Sequence, residues 1–354
     1  MPLMLNELLQ IDLPIIQSPM AGVQGARLAA AVCNAGGLGS LPCAMLSPAA
    51  LEDEVSRLTA ITDRPFNLNF FCHEPAEVTT AQRQAWHAAL ATFFDELGID
   101  PPDQPAGQVR EPFNEEALAA IERFRPAIVS FHFGLPRLDW VEQIKSWGSK
   151  VFSTATTVAE ARWLAANGVD AIIAQGLEAG GHRGSFLTND MTTQSGGLAL
   201  LPRICAEVSI PVIAAGGIAG PEGVGAAMAL GAAGVQVGTA FLLCPEADTS
   251  ALHRAALMSE AASHTTLTNV FTGRPARSIV NRLVREVGPM ASTAPPFPAA
   301  ANAVSLLRQA TQPLHSSDFT PLLCGQNANC CKQVPAAELL HWLAQGVGGT
   351  AAAI

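Results

Sequence analysis

The sequence predicts an α/β chain folded as a TIM-type (β/α)8 barrel, and three features predict it. Eight short apolar segments of strand character recur between residues 14 and 241. The intervals between them are mostly wide enough for a helix, the pattern of repeated βα units and a parallel sheet. Glycine-rich turns follow the sixth, seventh and eighth segments, at strand ends where such barrels carry their chemistry.

The predicted strands are 14–20, 38–41, 66–71, 128–133, 150–155, 171–175, 211–215 and 235–241. Helix signals fill several intervals. Ser47-Pro48 offers an N-cap with proline at the first helical position. Thr157-Val158-Ala159-Glu160 reads as a capping box, with hydroxyl and carboxylate satisfying early N–H groups reciprocally. Val158, Ala161, Leu164 and Ala165 then recur at helical spacing, and Gly168 sits where a C-cap belongs. Gly220-Pro221-Glu222 opens an Ala-rich helix ending near Gly231. Two intervals exceed a bare helix: 72–127, with a Pro-rich piece at 100–112, and 177–210, with a polar tract at 188–197. Long insertions on the catalytic face serve as lids or substrate walls. Residues 246–320 carry helical patterns and a break at Pro295-Pro296-Phe297-Pro298, and 336–345 reads as a closing helix. A dinucleotide fold is rejected: Gly37-Leu38-Gly39 has Pro42 where the third glycine belongs.

At 354 residues the chain fits one barrel with insertions or two average domains. An apolar fraction of 49% with only 14% charged residues provides an ample core and excludes extensive disorder. A formal net charge of −10 argues against nucleic-acid binding, which rests on basic side chains neutralising phosphates. The first eleven residues lack a secretory signal, and no run of apolar residues suits a membrane span. Eight scattered cysteines form no Cys-x-x-Cys pair, so reduced thiols in a cytoplasmic protein are expected. No tyrosine is present, which removes the phenol as a proton donor.

The strand ends supply the candidate site. Gly216-Gly217 and Gly238-Thr239 follow the seventh and eighth strands, the loops that most often hold phosphate in such barrels. Either turn alone is also what ends any strand; together they point to a phosphorylated cofactor. His182, within Gly180-Gly181-His182-Arg183-Gly184, is expected in a flexible loop away from bulky neighbours, where it reaches a ligand and titrates near neutrality. The competing reading is a surface histidine in a mobile loop. His132 ends the fourth strand, and alternation places it opposite Phe131 and Phe133; a histidine satisfied within the core is the competing reading. Asn69 ends the third strand and needs a partner if buried. Ala21-Gly22 leaves room for a flat ligand, and Gln175 and Gln236 add amide donors and acceptors. That set suits a flavin ring edge. Metal-ligand spacings and a Gly-x-Ser-x-Gly nucleophile are lacking.

Together these residues resemble the nitronate monooxygenase family, formerly 2-nitropropane dioxygenases, in its bacterial class I branch. The matching strings are Gln17-Ser-Pro-Met-Ala-Gly22, Asn67-Leu-Asn69-Phe-Phe71, Phe131-His-Phe-Gly134, Gln175-Gly-Leu-Glu-Ala-Gly-Gly-His182, Ala214-Ala-Gly-Gly-Ile218, Val235-Gln-Val-Gly-Thr239 and Gly325-Gln326. The resemblance implies a TIM barrel with a second, smaller, mostly helical domain over its mouth. It divides the chain into a barrel at 1–245 with insertions at about 72–127 and 177–210, a lid at 246–320, and a segment at 321–354 returning to the barrel.

It also implies one FMN, held by Ala21, Gly22, Asn69, Gln175, Gly180, Gly181, Gly216, Gly217, Gln236, Val237, Gly238 and Thr239. His182 would be catalytic and, with His132, would bind substrate. The implied reaction oxidises alkyl nitronates of the propionate 3-nitronate type with O2 to a carbonyl compound and nitrite. The same loop sequence also suits an FMN-dependent enoyl-thioester reductase using NAD(P)H. Small anionic nitronates and O2 are the expected partners, with a homodimer among the candidate assemblies. Phe297 stands where some relatives carry tyrosine.

Overall fold

The structure is a computed structural model that describes residues 3–101 and 111–348. Most of the Pro-rich piece expected at 100–112 therefore lies outside the described residues. Among the described residues eleven strands are formed: β1 Ile15–Gln17, β2 Gly39–Pro42, β3 Phe66–Phe71, β4 Ile128–His132, β5 Lys150–Ala155, β6 Ala171–Gln175, β7 Gly181–His182, β8 Val212–Ala215, β9 Gly234–Val237, β10 Thr265–Thr268 and β11 Ala276–Ile279. Eight of them make one parallel sheet in the order β1-β9-β8-β6-β5-β4-β3-β2. A parallel bridge between Ile16 and Leu38 joins its two ends. There Gln17 N donates to Leu38 O at 2.9 Å and Leu38 N to Ile15 O at 2.9 Å. The sheet thus closes into a barrel, with helices between consecutive strands.

All eight predicted strands form, with corrections at two ends. β1 stops at Gln17 rather than residue 20. β9 stops at Val237, and Thr239–Leu243 is a 3-10 turn instead of continued strand. Ala240, Phe241, Leu242 and Leu243 are buried in that turn. Apolarity persists past the strand, so its end is invisible to an apolar run alone.

Alternation along the strands sorts side chains to two cores. Ile16, Ile128, Phe152, Ile173 and Ile213 point inward and cluster with Leu5 and Leu9 of the helix Leu5–Leu9. Val129, Phe131, Val151, Ile172, Val212 and Val235 point outward and pack under the surrounding helices. The inward register continues to the C-terminal strand ends as Asn69, Phe71, His132, Thr154, Gln175, Ala215 and Gln236, all facing one cavity. Position in the pleat is what delivers these groups to the mouth.

The helix Val158–Ala166 is capped by Thr157, whose hydroxyl accepts from Glu160 N at 3.2 Å. The reciprocal half of the expected capping box does not form. The fully buried Glu160 carboxylate instead accepts from Thr156 N and Oγ1, each at 2.7 Å, and from Phe186 N at 2.7 Å. Glu160 therefore ties a helix start to the loop beyond β7.

A second apolar cluster lies apart from the barrel cores. Trp86, Leu90, Phe93 and Phe94 of the helix Thr80–Leu97 pack against Phe271, Leu283, Val304, Leu307 and Phe319. Any lid at 246–320 thus shares its core with a helix from the first insertion. Beside it, β10 and β11 pair antiparallel, and β11 pairs with β7 so that Ala276 faces His182 and Arg277 faces Gly181. The closing helix Ala336–Ala344 buries Leu339, Leu340 and Leu343 in the outer barrel core.

Trp86 is 1% exposed and donates from Nε1 to Ala300 O at 3.1 Å. Trp86→Ala is expected to cost about 3–5 kcal/mol of unfolding free energy. Urea denaturation checks this, and a loss below about 1 kcal/mol would show that the small cluster adds little to global stability.

Candidate functional site

The cavity at the barrel mouth has a volume of about 420 Å³, within the range of small-molecule sites. Two turns form one side of it. Gly216 and Gly217 have φ of 113° and 72°, a region that side chains disfavour, and a Cβ on Gly216 would lie 2.9 Å from Ala179 N. Glycine is required there for both angle and space. After β9, Gly238 and Thr239 line the same cavity, and Thr239 Oγ1 accepts from Gly325 N at 2.8 Å. Ala21 and Gly22, the latter with φ of 80°, line it beyond β1.

Three amides enter from the strands. Asn69 Nδ2 donates to Ser130 O at 3.2 Å and Ser130 Oγ at 2.9 Å, so the neighbouring strand supplies its partners. Gln175 uses both ends of its amide on the following loop: Nε2 donates to His182 O at 3.0 Å, and Oε1 accepts from Gly184 N at 2.9 Å. Gln236 differs. Its Nε2 reaches Ser18 Oγ at 3.3 Å, while its buried Oε1 has no hydrogen-bond partner among the described residues. A buried acceptor without a donor is costly, which suits a ligand that brings one.

The loop carrying His182 is held by guanidinium groups rather than being flexible. Arg183 is fully buried; it donates to Gln194 Oε1 at 2.6 Å, Gly176 O at 2.6 Å and Gln175 O at 2.7 Å. Arg277 donates twice to Leu177 O, at 2.9 and 2.8 Å. Arg274 donates to Arg183 O and Ser185 O and lies 3.9 Å over the Phe133 ring. Burial lowers the guanidinium pKa of Arg183 and Arg274, each to about 10, which leaves both cationic near neutrality.

His182 lies in β7, and its Nε2 sits 2.9 Å from Thr272 Oγ1. The expectation of a loop histidine clear of bulky groups is overturned. The rings of Phe297, Phe133 and Phe71 lie 5.4, 6.3 and 6.4 Å from the imidazole. Phe133 is the reason alternation fails at the end of β4. With φ of 72° it turns out of the strand, and its ring lies 4.5 Å from that of His132 instead of on the opposite face. Phe131 does sit opposite, in the outer core.

His132 Nε2 lies 3.1 Å from His182 O and Nδ1 lies 3.0 Å from Thr154 Oγ1. Burial lowers its pKa to about 3, with Arg274 and Arg183 adding to the shift, so the ring is neutral. A carbonyl only accepts, so Nε2 carries the proton and Nδ1 accepts from the Thr154 hydroxyl. His132 is thereby fixed as a strut beneath His182 O.

Of the residues singled out from sequence, the cavity brings together Ala21, Gly22, Asn69, His132, Gln175, Gly180, Gly181, His182, Gly216, Gly217, Gln236, Gly238 and Thr239. Val237 does not line it; its side chain is buried in the outer core. Thr272, Arg274 and Arg277 were missed because they lie about ninety residues downstream of the loop they hold. Arg183 had a signal, its place beside His182. Among the described residues, no three His, Cys, Asp or Glu gather as metal ligands, and no helix is long and apolar enough to cross a membrane.

A family model described as nitronate monooxygenase matches residues 3–346. A nitronate monooxygenase of Pseudomonas aeruginosa is 42% identical over 349 residues, covering 97% of this chain and 99% of that protein. One of Paraburkholderia phytofirmans is 42% identical over 338 residues, covering 95% and 92%. The crystal structure of nitroalkane oxidase from Streptomyces ansochromogenes aligns with a TM-score of 0.88 at 38% identity, over 96% of each chain. A structure of FabK from Thermotoga maritima aligns less closely, with a TM-score of 0.70 at 25% identity, over 97% of this chain and 94% of that one.

The neutral His132 makes stability acid-sensitive. Its folded pKa of about 3 lies below the ordinary 6.5, so between those values the unfolded chain binds the extra proton. Stability is full above pH 6.5 and falls with acidification toward pH 3, by about 1.4 kcal/mol per pH unit below pH 6. His132→Gln should remove that part of the slope in urea titrations from pH 7 to 5. An identical slope in the variant would contradict the assignment.

Proposed function

The chain belongs to the nitronate monooxygenase family, and from that premise we propose that its cavity binds FMN and converts alkyl nitronates of the propionate 3-nitronate type. It is a flavin-dependent oxidoreductase that oxidises nitronates. The observation that carries the site assignment is one cavity uniting two glycine turns, an unpartnered buried amide oxygen and His182. Those features fit FMN: a phosphate for the turns, and a ring N–H for Gln236 Oε1.

In this reading Gly216, Gly217, Gly238 and Thr239 would hold the phosphate, with Gly180 and Gly181 lining the same site. Ala21, Gly22, Asn69, Gln175 and Gln236 border the ring, and Val237 contributes only main chain. Bound, the flavin supplies the electron transfer and O2 chemistry. The protein supplies position and charge.

A nitronate is an anion, and the His182 imidazole orients it by hydrogen bonding beside the flavin. With a neutral nitroalkane the same ring accepts the α-carbon proton. Thr272 fixes one ring nitrogen, and His132 and Gln175 fix the main chain. Phe71, Phe133 and Phe297 set apolar rings around the imidazole, which lowers the local polarity and strengthens its electrostatic contact with substrate. The products are a carbonyl compound and nitrite. A cytoplasmic location completes the proposal, supported by eight unbridged cysteines.

Two experiments test this. The purified protein should be yellow, release FMN on extraction, and consume O2 on addition of propionate 3-nitronate. Release of FAD would overturn the FMN assignment, and bleaching by NADPH under anaerobic conditions without nitronate turnover would favour the reductase instead. His182→Asn should keep its flavin spectrum and lose about 100-fold or more in kcat. Full turnover in that variant would remove the imidazole from the chemistry.

A further inference from the structure

The residues that line the cavity are nearly all uncharged. Among the described residues that face it, Arg308 is the one Lys, Arg, Asp or Glu. It is exposed, at the last turn of the helix Ala301–Thr311. A basic residue there complements the helix dipole, but that role does not need a place on the cavity wall. Its guanidinium makes no ion pair with any described carboxylate, whereas Arg282, also in the small unit, pairs with Glu96 and Glu286. In a chain of net charge −10, an uncommitted cation at the opening is notable for what it attracts.

Arg308 and His182 line the same cavity, and their sequence neighbours meet through the small apolar cluster. Leu307, the neighbour of Arg308, packs with Phe271 in the small apolar cluster. Thr272, the neighbour of Phe271, is the hydrogen-bond partner of His182 Nε2. Phe271, Thr272, Thr320 and Pro321 line the cavity as well. A small ligand with its reacting end at His182 thus occupies a cavity whose lining carries one positive charge, that of Arg308.

We propose that Arg308 reads the tail of the substrate, binding an anionic group on the end of the nitronate's alkyl chain distal to the nitronate. The inference rests on the nitronate reading and assigns its specificity determinant. A carboxylate matches the fork of guanidinium donors in two-point geometry. The apolar walls around His182 suit the short alkyl spacer. Substrates would thus carry negative charge at both ends, one for the imidazole and one for the guanidinium.

Initial rates with propionate 3-nitronate and propyl-1-nitronate, which lacks the carboxylate, test the assignment in the wild type, Arg308→Gln and Arg308→Lys. The ratio of kcat/KM for the two substrates should fall about tenfold or more in Arg308→Gln, carried by KM. Arg308→Lys should keep the ratio within about threefold, because the charge remains. Added salt should raise KM more for the carboxylate than for the alkyl substrate. Binding of 3-nitropropionate, which has the same tail and a neutral nitro group, should weaken about tenfold in Arg308→Gln when followed by the flavin spectrum. An unchanged substrate ratio together with unchanged 3-nitropropionate binding would overturn the proposal. If the wild type oxidises neither nitronate, the catalytic reading falls, and 3-nitropropionate binding alone decides the role of Arg308.

Discussion

A single main-chain carbonyl, that of His182, is the joint on which the site depends. It accepts from Gln175 Nε2 at 3.0 Å and from His132 Nε2 at 3.1 Å. Both donors come from inward positions at strand ends, so the barrel itself fixes the place of the imidazole. A carbonyl has two lone pairs, and using both leaves little freedom for the peptide that carries the ring. The glycines around it would otherwise permit a wide range of conformations. Backbone permissiveness lets the chain enter the turn, and side-chain hydrogen bonds then remove the freedom.

The charges behind that joint act in one direction. Arg183, Arg274 and Arg277 are satisfied on main-chain oxygens of the loop and of its neighbours, not by close carboxylates. Glu160 and Glu178 lie near enough to favour the charged guanidiniums, yet both carboxylates spend their oxygens on backbone N–H groups. Three cations against two anions leave the surroundings of the loop positive. That field adds to burial in keeping His132 neutral, and it favours an anion in the cavity. Structure and substrate preference thus draw on the same buried charges.

Much of the barrel was legible because its signals are local. The strands β4 and β6 were legible as short apolar runs, and Ser47 and Thr157 cap helices where their side chains promised. Gly216 and Gly217 were legible for the same reason: positive φ at a strand end calls for glycine. The failures mark where distant residues override local preference. Glu160 had a capping role on offer and took the Phe186 N–H and Thr156 groups, because a buried carboxylate gains more from several donors. Phe133 left its strand to reach Phe71 and Phe297, at 4.8 and 5.7 Å, contacts between rings from three separate parts of the chain. No spacing in the sequence records such a meeting.

The small apolar cluster explains why the mouth is built from two parts of the chain. The helix Thr80–Leu97 leaves the barrel between β3 and β4, and the segment around Phe271 and Leu307 follows β9. The two segments bury their apolar side chains against each other in one cluster. Their joint core fixes Phe271 and hence the adjacent Thr272, while β11 fixes β7 by pairing Ala276 with His182. The imidazole is therefore held both by side chains at the barrel strand ends and by Thr272 beside the small apolar cluster. Its place depends on agreement between two cores, because its hydrogen-bond partner Thr272 follows directly on Phe271 of the smaller one. The position of the imidazole is set where the two cores meet, which is why Thr272 lies so far in sequence from the ring it holds.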